Sequence, residues 1–341
     1  MKILLASSIH PSAVEALERD HDVVSAFNAP EDELTSLIVD REAVVFRSGV
    51  TISAAVLNAA ANLALLVRAG SGLDNIDLAR AHDRGVQVVR VPGSSAQPVA
   101  ELTFALLLSL VRNVARADRL LREGHWPKAT LGGPLLAGKT LGIIGAGRIG
   151  SRVGEMGAAW GLRSIGCVEH YGAAAAASLS ARGVTLTNFD TVVPESDFLC
   201  LHLPLGEGTH HIIDAGVLGR MKPGSFLINV ARGGVVDESA LYTALTEGER
   251  LLGAALDVHE LEGEGVVSPL AALPNVVLTP HIGAMAWDSQ RLIGERVVEL
   301  LRAHEQGCLE DQLQPDEVVG RSDALRRPGP DPVSATVEGS P

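Results

Sequence analysis

Along this chain, short apolar runs alternate with longer stretches that carry apolar residues on one face only. Residues 2–6 predict a strand, and a helix is expected to open at Pro11 with Val14 and Leu17 on one side. Further strands are predicted over 23–24, 43–47, 65–68 and 86–90. The segments between them have helical spacing, as at Leu34, Leu37 and Ile38. Such alternation with short polar joints implies a parallel sheet covered on both faces. The turn-rich Gly93-Ser-Ser-Ala-Gln-Pro98 closes this first unit. A single long helix over 99–122 is expected next, leading into a second alternating unit. Its strands are predicted over 140–144, 163–168, 198–203, 226–229, 252–257 and 276–279, with a last long helix over 286–304. From residue 320 the pattern stops, apolar content falls and four prolines follow Arg327, so 320–341 reads as a disordered tail.

Composition narrows the function. A length of 341 residues suits two domains at roughly 100–200 residues each. With 28 Lys and Arg against 41 Asp and Glu the net charge is −13, which argues against nucleic-acid or anionic-membrane partners. A local basic pocket for a small anion remains compatible with that balance. Cys167, Cys200 and Cys308 are far apart and lack metal-ligand spacing, so free thiols in a reducing cytoplasm are expected and no metal site. The N-terminal apolar run is too short for a signal peptide. The most apolar stretch, 102–111, is interrupted by Thr103 and Ser109 and bracketed by Glu101 and Arg112, so it is not read as a membrane span.

The chemistry begins at Gly145-Ala-Gly147-Arg-Ile-Gly150, a G-x-G-x-x-G sequence. The pattern is weak alone, but here it follows an apolar strand and opens a stretch with Ile149, Val153, Met156 and Trp160 at helical spacing. Gly145 permits the tight turn, Gly147 lets a pyrophosphate approach the backbone, and Gly150 lets helix and strand pack closely. The helix N-terminus then offers amide donors to the phosphates. An acid for the ribose hydroxyls belongs about 20 residues further on, and Glu169 is the only one in reach. No Lys or Arg follows until Arg182, so NAD is favoured and NADP is left open.

Four segments, with Asp257-Val-His-Glu-Leu-Glu262, make the chain resemble the D-2-hydroxyacid dehydrogenases, closest to the phosphoglycerate dehydrogenase branch, over residues 1–316. They are Val67-Arg-Ala-Gly-Ser-Gly-Leu-Asp-Asn-Ile-Asp77, the glycine fingerprint, Asn229-Val-Ala-Arg-Gly-Gly-Val-Val-Asp237 and Pro280-His-Ile-Gly-Ala284. The resemblance implies an α/β protein of two Rossmann-like or flavodoxin-like, doubly wound parallel-sheet domains with the active site in the cleft between them. A substrate domain would comprise 1–98 plus 287–316 and a NAD-binding domain 99–286. Arg232, Glu262 and His281 would form the catalytic set. A histidine suits transfer of the hydroxyl proton, and a neighbouring carboxylate would favour its imidazolium. An arginine can hold a substrate carboxylate.

The resemblance also sets Arg148, Ile149, Pro204, Thr209 and Ala231 along the cofactor, with Asp257 on the nicotinamide carboxamide. Ser71 and Gly72 would belong to a carboxylate-binding loop. Arg47 and Arg68 match positions where phosphoglycerate dehydrogenases carry arginines near the substrate. Departures from the family pattern include Val168 where the acid usually stands, Arg90 in place of asparagine, Ser94-Ser95 in place of Gly-Asn, and Gly263 in place of proline. The expected activity is reversible oxidation of a D-2-hydroxy acid, such as 3-phosphoglycerate, to its 2-oxo acid. A glyoxylate or hydroxypyruvate reductase, or a reductase of a specialised-pathway acid, is the alternative. A non-enzymatic NAD(H)-sensing corepressor-like module is a third reading. The family's habit of dimerising through the cofactor domain, with the apolar 102–111 stretch, leads to the expectation of a homodimer.

Overall fold

Strands of this protein are apolar on both faces, which is why they lie inside parallel sheets rather than at a solvent surface. The computed structural model describes residues 1–92, 95–169, 172–248 and 250–320. The chain divides into a first unit, Met1–Ser95 together with the segment from Ala284, and a second unit, Ala96–Gly283. Each crossing falls three residues before the expected boundaries at 98/99 and 286/287.

The first unit holds β1 (Lys2–Leu5), β2 (Asp22–Ser25), β3 (Ala43–Phe46), β4 (Leu65–Arg68) and β5 (Gln87–Arg90). They form one parallel sheet in the order β2-β1-β3-β4-β5. Successive side chains take opposite faces. Ile3, Leu5, Val45, Leu65 and Val67 share a core with Ala13 and Leu17 of the helix Pro11–Asp20 and Ile293, Val297 and Leu300 of the helix Trp287–Glu305. Leu4, Val44, Phe46 and Leu66 face Leu34, Ile38, Val56 and Leu57 on the other side.

The second unit holds β6 (Thr140–Ile144), β7 (Arg163–Cys167), β8 (Val184–Leu186), β9 (Phe198–Leu201), β10 (Ser225–Asn229), β11 (Leu251–Leu256) and β12 (Val276–Leu278). Their order is β12-β11-β10-β9-β6-β7-β8, and every pair is parallel. Strand order reverses between β6 and β9, and in such sheets ligands bind outside the carboxyl ends at that switch point. Both units are therefore doubly wound α/β layers, as the alternation implied.

Three expectations need correction. The helix over 99–122 is two helices, Ala96–Val111 and Val114–Arg122, bent by 59°. Asn113 makes the break: it adopts φ +54°, a conformation asparagine tolerates better than most residues, and its Nδ2 donates to the Gly132 carbonyl at 3.2 Å. Strand β8 was not expected, because three residues carry too little periodicity to register. The first-unit fold also runs past residue 316, since Val318 makes an antiparallel bridge to Val89. The expected tail, from 321 on, lies outside the described residues. Among the described residues no single helix is long and apolar enough to cross a membrane.

Candidate active site

The glycine turn joins β6 to the helix Arg148–Ala159. Gly145 sits at φ +89°, and a Cβ there would lie 2.5 Å from the His202 carbonyl oxygen. A Cβ on Gly150 would run into the Gly145 carbonyl, so helix and turn are in backbone contact. Around Gly147, by contrast, a Cβ would meet nothing within 4 Å, and no side chain caps the helix that starts beside it. The turn thus keeps open space at Gly147, beside a helix N-terminus, where a dinucleotide's pyrophosphate would lie, so the residues present fit that group. Arg148 and Glu169 are exposed and Ile149 is half-buried. Val168 packs into the core while Glu169 turns outward, just beyond the end of β7. His170 and Tyr171, which follow, lie outside the described residues.

The loop after β9 is closed by Thr209 Oγ1, which donates to the Pro204 carbonyl at 2.6 Å. Sequence reasoning missed His202 on the same loop. Its ring nitrogens are sealed from solvent and have no hydrogen-bond partner among the described residues, and burial pushes its pKa down to about 3. The His202 main chain borders the glycine turn, and its buried, neutral ring nitrogens are what a ligand hydroxyl or an ordered water would satisfy.

Glu262 and His281 meet directly: Glu262 Oε2 lies 2.8 Å from His281 Nδ1. Burial pushes the Glu262 carboxyl up, but the hydrogen bond and charge of His281, with the amide and charge of His259, outweigh it and hold it below the usual range. An ionised carboxylate only accepts, so His281 carries its hydrogen on Nδ1 and leaves Nε2 for a ligand. His281 has φ +54°, an unusual conformation for a residue with a side chain. Asp257, 1 % exposed at the end of β11, enforces it. Its carboxylate accepts from Thr279 Oγ1 at 2.6 Å, Ile282 N at 2.9 Å and Gly283 N at 2.8 Å, while its carbonyl accepts from His281 N at 2.8 Å.

The strand of the loop carrying Glu262 is braced by residues that sequence reasoning did not single out. Glu260 N donates to Glu238 Oε1 at 2.8 Å, Glu238 N donates to Glu260 Oε1 at 3.2 Å, and His211 Nε2 lies 2.8 Å from the same Glu260 oxygen. His259 Nε2 donates to the Thr279 carbonyl at 3.0 Å, tying this loop to the one that bears His281. Arg232 follows β10, and its backbone is fixed by the buried Asn229, which donates to the Arg232 carbonyl and accepts from Ala231 N, both at 3.0 Å. Arg232 Nη1 donates to the Ala231 carbonyl at 2.7 Å. A Cβ on Gly233 would run into the His259 carbonyl, so the arginine's loop and the glutamate's loop are in backbone contact. Among the described residues there is no cluster of three or more metal-ligating side chains.

In the first unit, Arg68 is the last residue of β4, 5 % exposed, and its Nη1 would lie 2.5 Å from a Cβ on Gly70. Ser71 and Gly72 follow, both half-buried. Arg47, just after β3, has a guanidinium desolvated enough to lower its pKa. Its Nη1 and Nη2 both lie 3.3 Å from Met285 Sδ, and among the described residues no carboxylate pairs with it.

Residues 104–283 match the family model described as D-isomer specific 2-hydroxyacid dehydrogenase, NAD binding domain. The chain is 41% identical to hydroxypyruvate reductase of Thermotoga maritima, over 81% of this chain and 89% of that protein. It is 37% identical to D-3-phosphoglycerate dehydrogenase of Methanocaldococcus jannaschii, over 94% of this chain but only 62% of that one. A solved structure of D-lactate dehydrogenase from Aquifex aeolicus, complexed with NAD and lactic acid, superposes with a TM-score of 0.81 at 29% identity, over 97% of this chain and 100% of that one.

Proposed function

Because the chain belongs to the D-isomer-specific 2-hydroxyacid dehydrogenase family, we propose that it interconverts a D-2-hydroxy acid and its 2-oxo acid with NAD. The observation that carries this reading is the His281–Glu262 pair at 2.8 Å, with Nε2 of the imidazole unpaired among the described residues. Bound NAD supplies the hydride acceptor for oxidation, and NADH the donor for reduction. His281 Nε2 takes the hydroxyl proton as the hydroxy acid is oxidised and returns it to the ketone oxygen in reduction. Glu262 holds the imidazolium that forms. Arg232 binds the substrate carboxylate and polarises the neighbouring carbonyl. Gly145, Gly147, Arg148, Ile149 and Gly150 hold the pyrophosphate, Glu169 the adenosine ribose, and Pro204, Thr209, Ala231 and Asp257 line the nicotinamide half. Ser71 and Gly72 offer amides to the substrate's carboxylate. Residues 96–283 are read as the cofactor domain and the first unit as the substrate domain.

Among the described residues no acid pairs with the desolvated Arg47 guanidinium, and such a group favours an anionic ligand, so Arg47 supports a substrate bearing a second negative group, such as a phosphorylated 2-hydroxy acid. The second reading, hydroxypyruvate or glyoxylate reduction, is favoured by the 41% identity to a relative that this chain matches over 89% of its length. NADH oxidation across phosphohydroxypyruvate, hydroxypyruvate, glyoxylate and 2-oxoglutarate decides between them. Turnover lost in His281→Ala supports the proposed chemistry, and turnover of none by the unaltered chain refutes it.

A homodimer is supported by the helix Val114–Arg122, none of whose residues is buried, and by the exposed Val114, Leu121, Trp126 and Leu135 near it in sequence. A reducing cytoplasm is supported by three cysteines that form no disulfide.

A further inference from the structure

Arg90 ends β5 directly opposite Arg68 in the register of β4 and β5. Its Nε donates to the Asp316 carbonyl at 2.9 Å, and its Nη1 reaches the Ser71 carbonyl at 3.4 Å. The side chain is half-buried and joins two main-chain segments more than 200 residues apart, |i−j| being 226 on one side and 19 on the other. The C-terminal side of this link is itself held. Arg90 N donates to the Glu317 carbonyl at 3.2 Å, and Val318 bridges Val89. Glu317, 3 % exposed, accepts from Arg296 Nε at 2.8 Å, Arg296 Nη2 at 2.7 Å and Gln314 N at 2.9 Å. Residues 316–318 therefore form a strap along the edge of the sheet, clamped at one end to the helix Trp287–Glu305.

A peptide unit is planar and trans, so the carbonyl of one residue and the N–H of the next point in opposite directions. Anchoring the Ser71 carbonyl on Arg90 therefore aims the Gly72 N–H to the opposite side. Among the described residues neither the Ser71 nor the Gly72 N–H has an acceptor in the protein. A cation on the carbonyl also polarises the shared peptide and strengthens its donor.

We propose that Arg90 is a positioning residue for the amide donor of Gly72, and that it makes the orientation of that donor depend on the strap at 316–318. The inference rests on the proposed role of that amide in binding the substrate's carboxylate. Arg90 touches no substrate; it sets the direction of a group that does, and the strap becomes a place where events at the C-terminal side of the unit alter substrate affinity.

The test uses the full chain with Arg90→Ala, Arg90→Lys, Glu317→Gln and the double variant Arg90→Ala/Glu317→Gln. Arg90→Ala is expected to raise KM for the 2-oxo acid roughly five- to tenfold, the range for losing one ordinary net hydrogen bond, as suits a contact of 3.4 Å, with kcat and NADH affinity unchanged. Lysine, a single point donor, is expected to recover only part. Glu317→Gln should raise the same KM, and the double variant should fall short of the product of the singles because both act through one link. Hydrogen exchange at the Gly72 amide should quicken in each variant. An unchanged KM in Arg90→Ala, or fully multiplicative effects, overturns the proposal. If the unaltered protein reduces no 2-oxo acid, the proposed function fails separately, and unchanged exchange at Gly72 in Arg90→Ala would still overturn the coupling.

Discussion

Replacing Asp257 by asparagine keeps shape and removes charge, and the geometry sets the size of the loss. The carboxylate serves three donors: Oδ1 takes Thr279 Oγ1 and Ile282 N, and Oδ2 takes Gly283 N. An amide can match only one of those oxygens. Whichever way it turns, its NH2 faces at least one backbone N–H at hydrogen-bond distance, in a site where the residue is only 1 % exposed. Losing one charge-assisted bond and orphaning a buried donor costs about 2–4 kcal/mol. That exceeds the roughly 1–2 kcal/mol needed to keep a residue with a side chain in the left-handed region, so His281 is expected to leave its φ of +54°. A displacement of about 1 Å at a proton-transfer group costs on the order of 100-fold in rate. Asp257→Asn should therefore lower kcat by about two orders of magnitude while NADH affinity, read by nucleotide fluorescence, changes less than about threefold. A variant with near-normal kcat but weakened NADH binding would refute this reasoning and leave Asp257 as a cofactor contact alone.

Other outcomes follow from the same geometry. Glu262 is held below the usual carboxyl range, so its pair with His281 adds stability above the ordinary glutamate value of about 4.5, lost as pH falls through the lower folded value. Glu262→Gln should remove that acid-side loss from a series of melting temperatures between about pH 3 and 7, and lower kcat/KM by about 100-fold or more. Gly145→Ala places a Cβ 2.5 Å from the His202 carbonyl at φ +89°, and should cost about 2–4 kcal/mol in urea unfolding along with NADH binding. Val114→Glu combined with Leu121→Glu puts two charges on a helix with no buried residue, and should convert a dimer to a monomer in sedimentation without lowering the melting temperature of the monomer.

What could be read from the sequence was whatever repeats or stands in a fixed local pattern. Strands such as β4 and β6 lie at their expected bounds because a parallel sheet demands short, wholly apolar runs with turn residues on both sides. The glycine turn was legible for the same reason, three positions answering to three local steric needs. Asn113 escaped because the polar and apolar spacing on either side of it suits one continuous helix, and only the unburied surface of the second helix and the Gly132 carbonyl betray the break. Asp257 was placed by resemblance on the cofactor, whereas its three bonds to the loop of His281 come from residues 22 to 26 positions away, a separation that no periodicity encodes. The bracing of Glu260 by Glu238 and His211 is invisible for the same reason, as is the link from Arg90 to Asp316.

The proposed function assigns proton transfer and substrate recognition to residues of different units, which bears on how this protein could change substrate. Arg232, Glu262 and His281 all lie within Ala96–Gly283, interlocked through Gly233 on His259, His259 on Thr279, and Asp257 on Ile282 and Gly283. Any substitution in that set propagates through shared hydrogen bonds, so its members are expected to be strongly non-additive. Arg47 and the donors of Ser71 and Gly72 belong to the first unit, where Arg47 rests against a single flexible thioether. A thioether is a weak acceptor on an adaptable side chain and gives way readily to a carboxylate or phosphate. On the proposed function, recognition is assigned to loosely coupled groups and proton transfer to a tightly coupled one. Substitutions at Arg47 or Met285 should shift preference among 2-oxo acids through KM and leave kcat on the best substrate nearly intact, the opposite of what any change at Asp257 should do.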